Sequence, residues 1–239
     1  MWRVICGRII CMLSNIREQY NTIAETFSVE HHSGNQINRV LARQAMLPYA
    51  TPASFMLDLC CGDGTDTDFF ARNGVHVTGI DASEKLINMA RNAYPHILFN
   101  VGLAEQLPYE NDLFNCVFSK YAIQTSEHIE PILNEVWRVL KPGGVFIYLV
   151  THPLRQFLEK KKLNANYFKQ EIVSSVILDK TITVYEPTHI FAEYFNSKFF
   201  QRFEMIDFVE SFDPAAERIH EAVYPGFFLV TARKKLADS

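Results

Sequence analysis

The chain has 239 residues, a net charge of −4, and 48% hydrophobic against 21% charged residues. That length suits one α/β domain that buries most of its unfolded surface, so no disulfide or metal staple is required. The balance is that of an ordinary soluble protein, and with no clustered basic excess nucleic acid and anionic membranes are poor candidate partners.

Met1 to Leu13 is apolar but is interrupted by Arg3 and Arg8. It is too short to span a bilayer, and no small-residue cleavage site follows. Residues 1–15 are therefore set aside, read either as a poor signal sequence or as an extra leader ahead of a start at Met12, and no membrane span is expected. The next apolar run, Ser54 to Leu59, ends at a Gly-rich turn. Val75 to Ile80 follows as a second strand. Ser83 then reads as a helix cap, with Leu86, Met89, Ala90 and Ala93 at helical spacing and Pro95 as the stop. Ile97 to Val101 and Cys116 to Ser119 read as strands three and four. Ile129, Ile132, Leu133, Val136 and Leu140 mark one helix face, Lys141 to Gly144 a turn, and Val145 to Thr151 strand five. Alternating strands and helices with right-handed crossovers give a doubly wound, mostly parallel sheet.

After Thr151 the period is lost until Phe203 to Val209 and Gly226 to Arg233, which read as an antiparallel closing pair. The boundaries follow: a helical cap over 16–50, a core over 51–151, an insertion over 152–202 above the strand ends, and closing strands over 203–235, all one domain. Five cysteines are an odd count without zinc or paired spacing, which suits reduced thiols of a cytoplasmic protein. No His and carboxylate cluster has ligand spacing, so no metal is expected.

Ligands of such sheets sit beyond the strand carboxyl ends. The first of these ends carries Asp58-Leu59-Cys60-Cys61-Gly62-Asp63-Gly64-Thr65, where Gly62 and Gly64 allow a tight turn and close backbone approach. Asp81, at the end of strand two, is placed to accept both hydroxyls of a ribose. A dinucleotide would want a small residue at Thr67, and its pyrophosphate would meet Asp63, Asp66 and Asp68 at the helix start. S-adenosylmethionine (AdoMet) has no phosphate and carries a sulfonium and an ammonium group, so charge favours AdoMet over NAD.

These residues resemble motif I of class I AdoMet-dependent methyltransferases, a family with a seven-stranded Rossmann-like sheet. The Cys-Cys variant is similar to that of the ubiquinone/menaquinone biosynthesis C-methyltransferases. Ala104 to Tyr109 resembles the segment flanking the adenine, and Arg138 to Gly144 the turn into strand five. Tyr20 to Phe27 resembles the helix closing over the methionine end, and Pro225 to Lys234 the last strand. The resemblance covers about residues 16–235. It departs at Cys60, which replaces the first glycine, at Leu103, which replaces an acid reaching the adenine, and at Asn115, which replaces an Asp. It implies a cofactor site built from Tyr20, Asp58, Cys60, Gly62, Gly64, Asp81, Ala82, Leu103, Ala104, Glu105 and Lys120. Within it Asp81 takes the ribose, Gly62 and Gly64 the methionine portion, and Ala82 and Leu103 the adenine.

Methyl transfer needs alignment, exclusion of water and, for some acceptors, a base. The candidates lie after strands four and five: Tyr121, Gln124, His128 and His152, with His152 foremost because a histidine titrates near neutrality. Tyr185, Phe191, Tyr194, Phe195, Phe199 and Phe200 either line a cap over an aromatic or apolar acceptor or form plain core. Lys160 to Lys162 is a solvated basic run or an anion attractant. The expected activity is O- or C-methylation of a small molecule. A nonenzymatic AdoMet-binding protein and an NAD-dependent oxidoreductase are the alternatives, and the oligomeric state is open.

Overall fold

The computed structural model describes residues 16–33, 37–160, 162, 164–177, 182–212, 221 and 223–236. The leader lies outside them, as does Lys161. Five parallel strands, β1 (Phe55–Leu59), β2 (His76–Asp81), β3 (Leu98–Val101), β4 (Phe114–Lys120) and β5 (Leu140–Thr151), are joined by two antiparallel ones, β8 (Phe203–Ser211) and β9 (Phe227–Lys234). The order is β3-β2-β1-β4-β5-β9-β8. This is the doubly wound, mostly parallel seven-stranded sheet with an antiparallel closing strand that the sequence predicts.

Helices cover both faces, which is why β5 reads as a continuous apolar run. Phe146, Tyr148 and Val150 pack on one face with α5 (Ile129–Val139), and Val145, Ile147 and Leu149 on the other with α2 (Ile37–Met46) and α3 (Thr65–Arg72). The remaining crossover, α4 (Glu84–Ala93), is capped as expected: Ser83 Oγ accepts the Leu86 N–H at 3.2 Å, a bond worth about 1 kcal/mol. Among the described residues, no helix is long and apolar enough to cross a membrane.

The Lys141 to Gly144 turn is folded into β5 as a bulge. Pairing jumps from Phe114↔Leu140 to Cys116↔Val145, and Gly143 takes φ 77°. A Cβ on Gly144 would lie 2.8 Å from the Lys141 carbonyl, so this tight crossing excludes a side chain there.

Between β5 and β8 the chain forms α6 (Pro153–Glu159), a hairpin of β6 (Ile172–Ile177) and β7 (Ile182–Pro187), α7 (Phe191–Tyr194) and α8 (Ser197–Arg202). The hairpin was illegible in the sequence because its buried face mixes Val173, Ile182 and Val184 with the polar Ser175 and Glu186. The cap aromatics are spent on packing. Tyr194 and Phe199 are buried, and Phe191 stacks on Phe228 of β9 at 5.4 Å. The core reading describes Tyr194 and Phe199, whereas Phe200 is exposed. The basic run is likewise structural at Lys160, whose Nζ donates to the carbonyls of Asn166 and Lys169.

Candidate active site

The turn after β1 is built by backbone conformation. Cys60, Gly62 and Gly64 have φ of 58°, 57° and 81°, a region that costs a side-chain-bearing residue energy and a glycine none. A Cβ on Gly64 would stand 2.8 Å from Phe99 Cζ and 3.1 Å from Ala90 Cβ. This glycine therefore also seats the loop against β3 and α4. Asp81 ties the loop to β2: its carboxylate accepts the Gly62 N–H at 3.0 Å and the Ser83 N–H at 2.8 Å. Two of a carboxylate's roughly four acceptor positions are thereby used. Burial holds its carboxyl above the usual range, opposed by those N–H donors.

Asp58 is buried and accepts the Thr67 hydroxyl at 2.6 Å. It fastens α3 to β1. Burial, then the neighbouring Asp66 carboxylate, push it up to about 7. Thr67, read as a mismatch to a dinucleotide fingerprint, is thus the partner of Asp58.

Two of the three acids at the start of α3 are paired with basic side chains. Asp66 is held by Arg43 at 2.6 Å and Lys120 at 3.0 Å, with Arg39 at 3.9 Å. Asp68 pairs with Arg72 at 2.8 Å, and Asp63 accepts the Thr65 hydroxyl at 2.8 Å. The cations of Asp66 come from α2 and β4, distant in sequence, whereas Arg72 lies one turn from Asp68 on α3. Lys120, named among the cofactor-site residues from the resemblance, is a buried counterion of Asp66; burial lowers its ammonium pKa and Asp66 opposes that shift.

The helix α1 (Ile16–Ser33) closes over the loop. A Cβ on Gly62 would touch Phe27 at 3.5 Å. Asn21 Oδ1 accepts the Ser83 hydroxyl at 2.7 Å, and Gln19 exchanges two hydrogen bonds with the Tyr185 backbone of β7. Tyr20 sits between these anchors. Burial pushes its phenol well up, and the carboxylates of Glu186 and Asp81 push the same way, followed by Cys60. The Cys60 thiol is raised by burial and by Asp81 and Glu105. The charges gathered about Tyr20 and Cys60 are therefore negative.

The segment after β3 forms the other wall. Leu103 is 42% exposed and Ala104 buried. Glu105 accepts the Ser126 hydroxyl at 2.6 Å. Arg138 on α5 donates to the carbonyls of Leu107 and Tyr109, and Glu135 accepts the Leu107 N–H. Two motifs read separately in the sequence are thus one unit.

His152 is only 3% exposed and caps α6. Its Nδ1 accepts the Leu154 N–H at 3.1 Å, which leaves the proton on Nε2 to donate to Glu210 at 2.8 Å. The lone pair that a base would use is engaged, and burial lowers the imidazole pKa against the pull of Glu210. His128 is exposed at the start of α5. Tyr121, at φ 52°, accepts the Asn38 amide at 2.9 Å on the α2 side. Of the three, His152 and Tyr121 are engaged by neighbouring side chains and His128 is exposed.

Gln124 does face the cap. Its carbonyl accepts His189 Nε2 at 3.0 Å, and its side chain bonds Glu186. Glu186, Gln156 and Ser175 complete a buried polar cluster that the sequence reading missed. A glutamate alternating with Ile182 and Val184 on a strand was the available signal.

A family model described as a methyltransferase domain matches residues 57–148. A demethylmenaquinone methyltransferase of Chlorobaculum parvum is 30% identical over 163 residues, 65% of this chain and 67% of that one. The chain belongs to the class I AdoMet-dependent methyltransferases. An uncharacterized methyltransferase of Synechocystis sp. is 38% identical over 104 residues, 43% of this chain and 49% of the relative. The match thus spans about half the length of this relative and two thirds of the other. The structure of an S-adenosylmethionine dependent methyltransferase from Mesorhizobium loti aligns with a TM-score of 0.65 at 23% identity, over 81% of this chain and 96% of that one. At that identity the likeness is one of fold.

AdoMet is the cofactor of this family, and the residues present fit it. The glycines hold the β1 turn in its left-handed conformation, Asp81 keeps acceptor positions for a diol, and Asp81, Glu105 and Glu186 suit a ligand carrying a sulfonium and an ammonium. Among the described residues no group of three His, Cys, Asp or Glu side chains is set to hold a metal ion.

Proposed function

We propose that this methyltransferase transfers a methyl group from AdoMet to the oxygen or carbon of a small molecule, held between the end of β4 and the β6–β7 hairpin. The observation that carries the reading is Asp81, a carboxylate at the end of β2 that holds the glycine turn through the Gly62 N–H and faces the Tyr20 lid. Asp81 takes the ribose hydroxyls, Gly62 and Gly64 admit the methionine portion, and Ala82 and Leu103 border the adenine. Bound there, AdoMet supplies a methyl group already activated by its sulfonium. The chain's task is to align an acceptor with it and to keep water away. The lid formed by α1, fastened at Gln19 and Asn21, serves the second need.

Relatives named as demethylmenaquinone methyltransferases support quinol-like acceptors. The test is transfer of labelled methyl from AdoMet to soluble naphthoquinols and phenols, by the wild type and by Asp81→Ala. Transfer by the wild type and its collapse in the variant is the expected result. Equal transfer by both would remove Asp81 from the site.

A further inference from the structure

Glu186 is 3% exposed on β7, and among the described residues no cation pairs with it. Its neighbours are neutral groups from three elements, and Ser175 shares its one hydroxyl proton between Glu186 and Glu159 Oε2 at 2.8 Å. Ser175 Oγ of β6 stands at 3.1 Å and Gln156 Nε2 of α6 at 3.4 Å, with the Gln124 side chain from the turn after β4. A buried carboxylate without a counterion is costly to the fold, so its place at the junction of lid, cap and strand end calls for a use. Tyr20, which feels both Glu186 and Asp81, joins this cluster to the cofactor turn. Beside it, Gln124 Oε1 is buried and makes no hydrogen bond among the described residues. That atom is an acceptor left for a donor from outside the chain.

We propose that Glu186 is the proton-accepting carboxylate of the methyl-acceptor site, and that the second substrate is a small molecule bearing a phenol- or enol-type hydroxyl. The proposal rests on the AdoMet reading above. The acceptor's hydroxyl proton passes to a Glu186 oxygen, and the freed electron pair bonds to the methyl carbon, directly or through the conjugated carbon of an enol. The pair of the broken carbon–sulfur bond stays on sulfur. Gln124 Oε1 would take a second donor of the same molecule.

The surroundings suit the task. Burial, then the Glu159 carboxylate, push the Glu186 carboxyl up to about 7, opposed by Gln156, Ser175 and Gln124. The other groups around it are Arg155, spent on Glu159 at 3.1 Å, the phenols of Tyr20 and Tyr194, and His189, held by Gln124 and Glu193. A general base titrating near the working pH combines availability with driving force.

The test needs no acceptor. Titration calorimetry near pH 7 in two buffers of different ionisation enthalpy counts protons released on binding AdoMet and its neutral-sulfur product. A sulfonium brought beside Glu186 should expel roughly half a proton more than the product does, since the carboxyl is about half protonated there. Glu186→Gln should bind AdoMet and lose that excess. The same excess in the variant, with AdoMet bound by both, overturns the proposal and leaves the AdoMet reading standing. A wild type that binds no AdoMet overturns both. If the variant does not fold, carbon NMR of labelled glutamate in the wild type decides. A carboxyl titrating near neutrality, moved down by about one unit with AdoMet and not with product, is expected. The absence of any such carboxyl is contrary.

Discussion

Lys120 Nζ lies 3.0 Å from Asp66 Oδ2, and both side chains are only 7% exposed. The pair joins the end of β4 to the first turn of α3, and Arg43 brings α2 into the same contact at 2.6 Å. The floor beneath the β1 turn is thus an ion cluster, whereas the charges about Tyr20 and Cys60 are those of Asp81, Glu105 and Glu186.

Lys120→Met should therefore act on stability. Removing one partner of a buried pair costs about 3 kcal/mol, here reduced by Arg43, and urea unfolding reads it. AdoMet affinity should stay within about threefold. A tenfold affinity loss at unchanged stability would place Lys120 on the ligand instead.

Gly64→Ala should disturb fold and ligand together. At φ 81° an alanine is strained, and its Cβ would meet Phe99 at 2.8 Å. A loss of about 2–3 kcal/mol is expected from strain and overpacking, with weaker AdoMet binding because the turn must shift. Phe99→Leu in the same chain should return part of the stability and not the strain.

Asp58→Asn should show a pH-dependent gain. The folded carboxyl titrates at about 7, above its ordinary 3.8, so the native state holds a proton that the unfolded chain releases. Stability from this group is full below about pH 4 and falls as pH rises toward 7. Asparagine can still accept the Thr67 hydroxyl. Its advantage over the wild type in urea unfolding should grow from about pH 5 to 7 and level off above. A constant difference would contradict the raised carboxyl.

His152→Ala should lower the unfolding temperature, since it removes the cap of α6 and the bond to Glu210, a change of about 1–2 kcal/mol. His152→Asn, which keeps a capping oxygen, should recover part of it. AdoMet binding should be unchanged in both. Lost turnover in a fully stable His152→Ala protein would restore the histidine as a base.

Local rules made the sheet legible: apolar strands, the Ser83 cap, and the glycines after Leu59 all act within a few residues. Asp81 was legible because the strand-two end is fixed by topology. What escaped depends on contacts between distant segments. Asp66 looks like a free acid until α2 and β4 supply Arg43 and Lys120. His152 looks like a base until β8 supplies Glu210. Glu186 looks like a solvent-facing strand residue until Gln124, Gln156 and Ser175 close around it.

Titration calorimetry of the wild type and Asp81→Ala with AdoMet, its demethylated product and NAD tests the central claim most directly. The wild type should bind the first two and not NAD. The variant should lose about ten- to a hundredfold in AdoMet affinity, as charge-assisted hydrogen bonds of about 1.5–3 kcal/mol disappear. Binding of NAD without AdoMet, or equal AdoMet affinity in both proteins, would contradict a cofactor site built on Asp81.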